Sequence, residues 1–134
     1  MDKSYSEWDF DVVVIGAGGA GLRAAIEASS NGAKVGMISK SMLGKAHTVM
    51  AEGGAAAALA NKDHRDSWKI HFRDTMKGGK YLSDWRMAKV HAQQAPDRIR
   101  ELEQWGAVFD RTSEGKTSQR NFGGHTYPRL AHIG

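Results

Sequence analysis

Cysteine is absent from these 134 residues, and proline occurs only twice. Without a thiol the chain forms no disulfide framework, offers no thiolate nucleophile and ligates no iron–sulfur cluster of its own. It contains no run of 18 apolar residues, so no transmembrane helix is expected. Basic residues are in slight excess, with a net charge of +4, but they form no block of five or more. Nucleic acid is therefore not an expected partner, and a solvated surface is. Met1 to Asp9 is polar and mixed in charge, unlike a secretory signal, and reads as a short lead. Internal repeats and low-complexity tracts are also missing. The apolar and charged shares are those of an ordinary globule, and 134 residues make one domain or part of one.

What the chain does contain is concentrated between Phe10 and Gly54. An apolar run, Val12-Val13-Val14-Ile15, has the character of a buried parallel strand. It turns through Gly16-Ala17-Gly18-Gly19-Ala20-Gly21 into an Ala-rich segment ending near Gly32, and a second apolar run, Lys34 to Ile38, follows. Gly16 permits a tight exit from the strand. Gly18 lets a pyrophosphate approach the backbone, and Gly21 lets the helix pack close to the strand. The helix N-terminus adds unpaired N–H groups and the positive end of its dipole. Leu22, Ala25, Ile26 and Ser29 recur at helical spacing, with Ala20, Ala24 and Ala28 suited to close helix–sheet contact. Gly32 suits the position just past the helix end. The pattern predicts strand, phosphate-binding turn, helix and strand, then a loop able to face a cofactor.

The acid that commonly holds a ribose, about 20 residues after the first glycine, is missing; Ser39-Lys40 stands there. Ser39 can bond a ribose hydroxyl and Lys40 favours a phosphate. The residues alone thus specify a dinucleotide and leave an NADP-type reading open.

Beyond Gly54, Ala55 to Ala60 reads as a packed helical turn or a buried extended segment, and Asn61 to Asp66 as a polar break. Asp66 to Lys77 reads as a helix with Trp68, His71, Phe72, Thr75 and Met76 on one face, His71 being a packed side chain, and Gly78-Gly79 ending it. Ser83 is the expected N-cap of a helix to about Ala95. Pro96 is expected to open a further helix through Ile99, Leu102 and Trp105, stopping at Gly106. Val108-Phe109 reads as a short strand. The pattern supplies two strands of a parallel sheet, fewer than a doubly wound sheet needs. The expected fold class is therefore α/β: a Rossmann-like βαβ start with following helices and an incomplete sheet, the N-terminal portion of a larger protein. Residues 1–9 form the lead and 10–134 the truncated nucleotide-binding domain.

The set Gly16 to Ala25, Ile38-Ser39-Lys40 and His47-Thr48-Val49-Met50-Ala51-Glu52-Gly53-Gly54 resembles the flavoprotein subunit of succinate dehydrogenase/fumarate reductase. The resemblance runs on through Asp74 to Gly79, Ser83-Asp84, Glu101 to Gly106 and Gln119 to His125, covering almost the whole chain from Phe10. It implies FAD, with Ser39 to Gly54 wrapping the adenosine, diphosphate and flavin. Cofactor contacts then fall on Gly16, Ala17, Gly18, Gly19, Ala20 and Gly21, on Ser39 and Lys40, and on Lys45, Ala46, His47, Thr48, Ala51, Glu52, Gly53 and Gly54. In this family the histidine matching His47 carries the flavin covalently through its 8α carbon; by itself it would read as a loop histidine. Gly44-Lys45-Ala46 departs from the usual Thr-Arg-Ser, losing two hydroxyls and keeping one positive charge.

The resemblance further implies interconversion of succinate and fumarate by hydride transfer at flavin N5. Electrons would pass to an iron–sulfur subunit, then to a quinone. The expected location is the cytoplasmic face of the inner (plasma) membrane, peripheral through membrane-anchor subunits. The family's substrate residues lie further along the chain, so no catalytic residue and no metal ligand is assigned here. Asp84 and His125 also stay outside the site. Two other readings are an L-aspartate-oxidase-like relative, which generally lacks the histidine, and a non-enzymatic interaction domain.

Overall fold

The computed structural model describes residues 5–134; the start of the expected lead, residues 1–4, lies outside them. The chain divides into two compact units, Met1–Glu52 and Gly53–Gly134.

In the first unit, β1 (Val12–Ile15), α1 (Gly19–Ser30) and β2 (Val35–Ile38) follow the expected order. β1 and β2 pair in parallel, Val12 opposite Val35 through Ile15 opposite Ile38. The entry is fixed by Asp11, whose carboxylate accepts from the Lys34 N–H at 2.7 Å. Gly36 is buried against the Phe10 ring, which a Cβ there would strike. α1 ends as expected of Gly32, which has φ +86°. Its N–H donates to Ser29 O and that of Ala33 to Ala28 O, closing a Schellman motif. One detail differs: Ala20 and Ala24 are exposed, and Gly21, Leu22, Ala25 and Ala28 are the more covered positions. Gly21 sets that rotation, since it is the residue against Val14 and the Gly16 carbonyl.

The second unit packs α2 (Trp68–Gly78) and α3 (Trp85–Gln104) with a small antiparallel sheet, ordered β3 (Ala55–Ala56), β5 (Leu130–Ala131), β4 (Gln119–Arg120). Of the two readings of Ala55–Ala60, the extended one holds for its first two residues. Small side chains allow the close packing: Ala57, Ala95, Ile99, Phe109 and Ala131 form the core. Ser67 caps α2, its Oγ accepting from the Ile70 N–H.

Three expectations change here. The N-cap of α3 is Asp84, not Ser83, because its carboxylate accepts from the N–H groups of both Arg86 and Met87. Ser83 instead packs its Oγ against the open face of Gly79. Gly78-Gly79 ends α2 as expected, with Gly79 at its C-cap, and the Tyr81 N–H closes the turn on Met76 O at 2.8 Å. Pro96 does not start a helix but lies inside α3. A proline removes one backbone donor, yet the buried stripe Ala88, Ala92, Ala95 and Ile99 runs past it, so packing keeps the helix in one piece. Val108-Phe109 forms no strand; Phe109 is in the core and Val108 is exposed. Among the described residues, no helix is long and apolar enough to cross a membrane.

Candidate cofactor site

The turn after β1 is anchored by Gly16, whose N–H donates to Ile38 O at 2.8 Å with φ +107°. This ties the phosphate turn to the end of β2, where Ser39 follows. Gly18, in an extended conformation, is the N-cap of α1 and supplies no side-chain cap. A Cβ on Gly21 would lie 3.0 Å from the Gly16 carbonyl carbon and inside the contact distance of its oxygen. The glycine is therefore required for the helix to start at this distance from the strand. No acid occupies the first turn, so nothing there offsets the partial positive charge of the helix end.

One first-turn donor already has a partner. The Gly19 N–H donates to Thr48 Oγ1 at 2.9 Å, a link between residues 29 positions apart. Ala20 and Gly21 follow it in the first turn, where backbone N–H groups have no intrahelical acceptor. Thr48 belongs to a 3-10 turn, His47–Met50, entered through an extended Ala46. The Val49 N–H closes this turn on Ala46 O and that of Ala51 on Thr48 O. His47, at its head, is exposed. A cavity of about 240 Å³ lies between turn and helix, lined by Ala17, Gly19, Leu22, Gly44, Ala46, Thr48 and Val49.

The first unit therefore brings Gly16 to Gly21 together with Ala46 and Thr48. Ser39 accepts from the Ser41 N–H at 3.4 Å, and Lys40 and Lys45 are exposed, with no ion pair formed among the described residues. Ala51 and Glu52 are exposed. Gly53 and Gly54 belong to the second unit, where Gly53 O accepts from Arg120 Nη2 at 3.0 Å. Gly54, φ +116°, faces the Ala131 carbonyl, which leaves no room for a Cβ. Backbone packing thus accounts for one glycine of the expected set.

The second unit holds a polar cluster that sequence reasoning missed. Arg129 is fully buried and donates to Asp66 at 2.8 and 3.1 Å, with a further ion pair to Asp74 at 3.0 Å. Asp74 also accepts from the N–H and hydroxyl of Thr126, both at 2.8 Å, and these bonds with Arg129 hold its pKa low against burial. His71, Asp74, His91, His125 and Arg129 line a cavity of about 300 Å³. Burial first, then the Arg129 charge, push His71 down to about 4, and His125 is lowered by the same causes. His71 is thus the packed side chain expected. Asp74 lies three residues from His71, which places it on the packed face; that spacing was the one available signal. Among the described residues, no cluster of His, Asp or Glu has the geometry to hold a metal ion.

The strand–glycine turn–helix unit, with a loop returning to the helix N-terminus, defines a dinucleotide-binding chain. It belongs to the FAD binding domain family, whose model matches residues 11–134. That match selects FAD over the NADP-type reading. Within the family, the chain is 48% identical over 128 residues to the succinate dehydrogenase flavoprotein subunit of Rickettsia bellii, covering 94% of this chain and 21% of the relative. It is 47% identical over 128 residues to a subunit of the fumarate reductase (CoM/CoB) of Methanothermobacter marburgensis, covering 95% and 23%. Among solved structures it superposes on Mycobacterium smegmatis Sdh1 in complex with UQ1 with a TM-score of 0.90 and 69% identity, covering 93% of this chain and 21% of that one. The flavoprotein FrdA of E. coli quinol fumarate reductase gives a TM-score of 0.83 at 40% identity, covering 91% and 21%. The resemblance read from the motifs is borne out, as is the α/β fold class with incomplete sheets. The chain spans about a fifth of the length of these relatives.

Proposed function

We propose that these residues are the FAD-binding part of a succinate dehydrogenase/fumarate reductase flavoprotein that carries its FAD on His47. The whole protein interconverts succinate and fumarate by hydride transfer to or from the flavin and passes electrons to an iron–sulfur subunit, then to a quinone. It is held at the cytoplasmic face of the membrane through its partner subunits. When bound, FAD supplies a two-electron carrier. This chain's residues bind and orient it: Ala20 and Gly21 N–H groups for the diphosphate, Ser39 for the ribose, Lys40 and Lys45 for negative charge. The imidazole of His47 would hold the FAD through a bond to the flavin 8α carbon.

The observation that carries this reading is the 2.9 Å bond from Gly19 N–H to Thr48 Oγ1, which sets the residue next to His47 on the N-terminus of α1. The test expresses the full open reading frame that contains these residues, with its partner subunits. After acid denaturation, flavin fluorescence should stay with the precipitated wild-type protein and move to the supernatant for His47→Ala. Free flavin from the wild type would defeat the attachment.

A further inference from the structure

α1 begins on a glycine pair that cannot cap it, and its cap arrives from far along the chain. Thr48 Oγ1 accepts from the Gly19 N–H at 2.9 Å. The space is shaped for that side chain: a Cβ on Gly18 would lie 3.3 Å from Thr48 Oγ1, and one on Gly19 3.1 Å from Thr48 Cγ2. Gly18, credited above with pyrophosphate approach, and its neighbour Gly19 therefore also make room for a threonine.

The rest of the loop has little to hold it. Between Ser39 and Lys45 the described bonds are local, Ser41 N–H to Ser39 Oγ and Lys45 N–H to Met42 O. Met42 and Leu43 are 79% and 69% exposed, so no packing substitutes for the missing bonds. Among the described residues, Thr48 makes the one side-chain hydrogen bond from residues 39–51 to the βαβ unit. His47 precedes it in the same four-residue turn. A tether at Thr48 thus fixes the imidazole's origin relative to the amides that receive the diphosphate.

We propose that Thr48 is a positioning residue for flavin attachment: its hydroxyl on the Gly19 N–H holds the His47 turn in register with the phosphate cradle. This rests on the reading that His47 carries the FAD. Attachment gains because a nucleophile held at a fixed distance from a bound partner reacts faster than one on a loose loop. The bond needs an acceptor on a short side chain. Serine supplies it, and valine, of the same shape as threonine, does not.

The test uses the full-length protein with its partner subunits, supplied with FAD. Two quantities are measured: total flavin, and the fraction remaining with acid-denatured protein as a function of time. Thr48→Ser is expected to attach FAD within about twofold of the wild-type rate. Thr48→Val is expected to attach it roughly five- to tenfold more slowly, the effect of one lost hydrogen bond, at equal total flavin. A merely structural role would lower total flavin and leave the retained fraction, and the rate at which it grows, unmoved. Attachment by Thr48→Val at the wild-type rate overturns the proposal. If the valine variant does not fold, Thr48→Ala against Thr48→Ser decides: equal rates overturn the proposal, and loss in alanine alone upholds it. Failure of the His47 reading looks different, since the wild type itself then releases all its flavin.

Discussion

Replacing the phosphate-turn glycines by alanine, one at a time, separates the reasons for each. At Gly21 the new Cβ would lie 3.0 Å from the Gly16 carbonyl carbon and closer still to its oxygen, and both are backbone atoms. Neither can rotate away, so the turn and helix must part. Overpacking of this kind costs about 1–3 kcal/mol or more, which is roughly a tenfold to hundredfold loss in FAD affinity if it falls on the holo conformation. At Gly19 the Cβ would meet only the Thr48 side chain, nearest at Cγ2, 3.1 Å away, a contact a side chain relieves by a few tenths of an ångström. Alanine also favours the helix by up to about 1 kcal/mol over glycine, so the net effect is within about threefold. Gly16 has open space, but its φ of +107° strains any side chain, at roughly 1–3 kcal/mol. The assay is FAD titration of the full-length protein by flavin fluorescence, in a His47→Ala background so that FAD stays exchangeable. The expected order of loss is Gly21, then Gly16, then Gly19. A Gly21→Ala protein that binds FAD within threefold of its parent would refute the steric reasoning.

Two further outcomes follow from the second unit. Arg129→Met leaves Asp66 and Asp74 buried without their cation and is expected to destabilise the unit by about 3–5 kcal/mol. The readout is hydrogen exchange at Ala57, whose N–H donates to Arg129 O; a loss below about 1 kcal/mol would contradict the burial. His71 is held down to about 4 from an ordinary 6.5, so the unfolded state binds the extra proton between those values. Stability of the unit should fall as pH drops from about 6.5 to 4, by up to roughly 3 kcal/mol. Asp74, with its lowered pKa, adds to that loss only at still lower pH. His71→Gln should make the upper limb of the exchange-protection profile shallower, with His125, lowered by the same causes, carrying the remainder; an unchanged limb would remove His71 as a source.

The cofactor half of the molecule was legible because its signals are local. Val12 to Ile15, the glycine turn and Gly32 each carry a backbone requirement that neighbours cannot override. What escaped reading was set by tertiary contacts. The strands Ala55–Ala56, Gln119–Arg120 and Leu130–Ala131 are two residues each, too short to show an alternation. Pro96 is a valid helix opener by local rules, and a buried alanine stripe overruled it. Arg129 was not singled out and Asp66 stood only at a polar break and helix start, since nothing in sequence marks a charge whose partner lies 63 residues away. Thr48 matched the motif, yet its contact with Gly19 could not be seen without the fold.

Because among the described residues the parallel sheet consists of β1 and β2 alone, each strand has an outer margin with spare backbone donors and acceptors. Val13 and Ile15 on one strand and Ile38 on the other are about half exposed or more. Such margins are templates for added strands from any chain that reaches them. The 134 residues handled alone would therefore tend to stack edge to edge and leave solution, and a solubilising fusion would not cure this unless it also covered those margins.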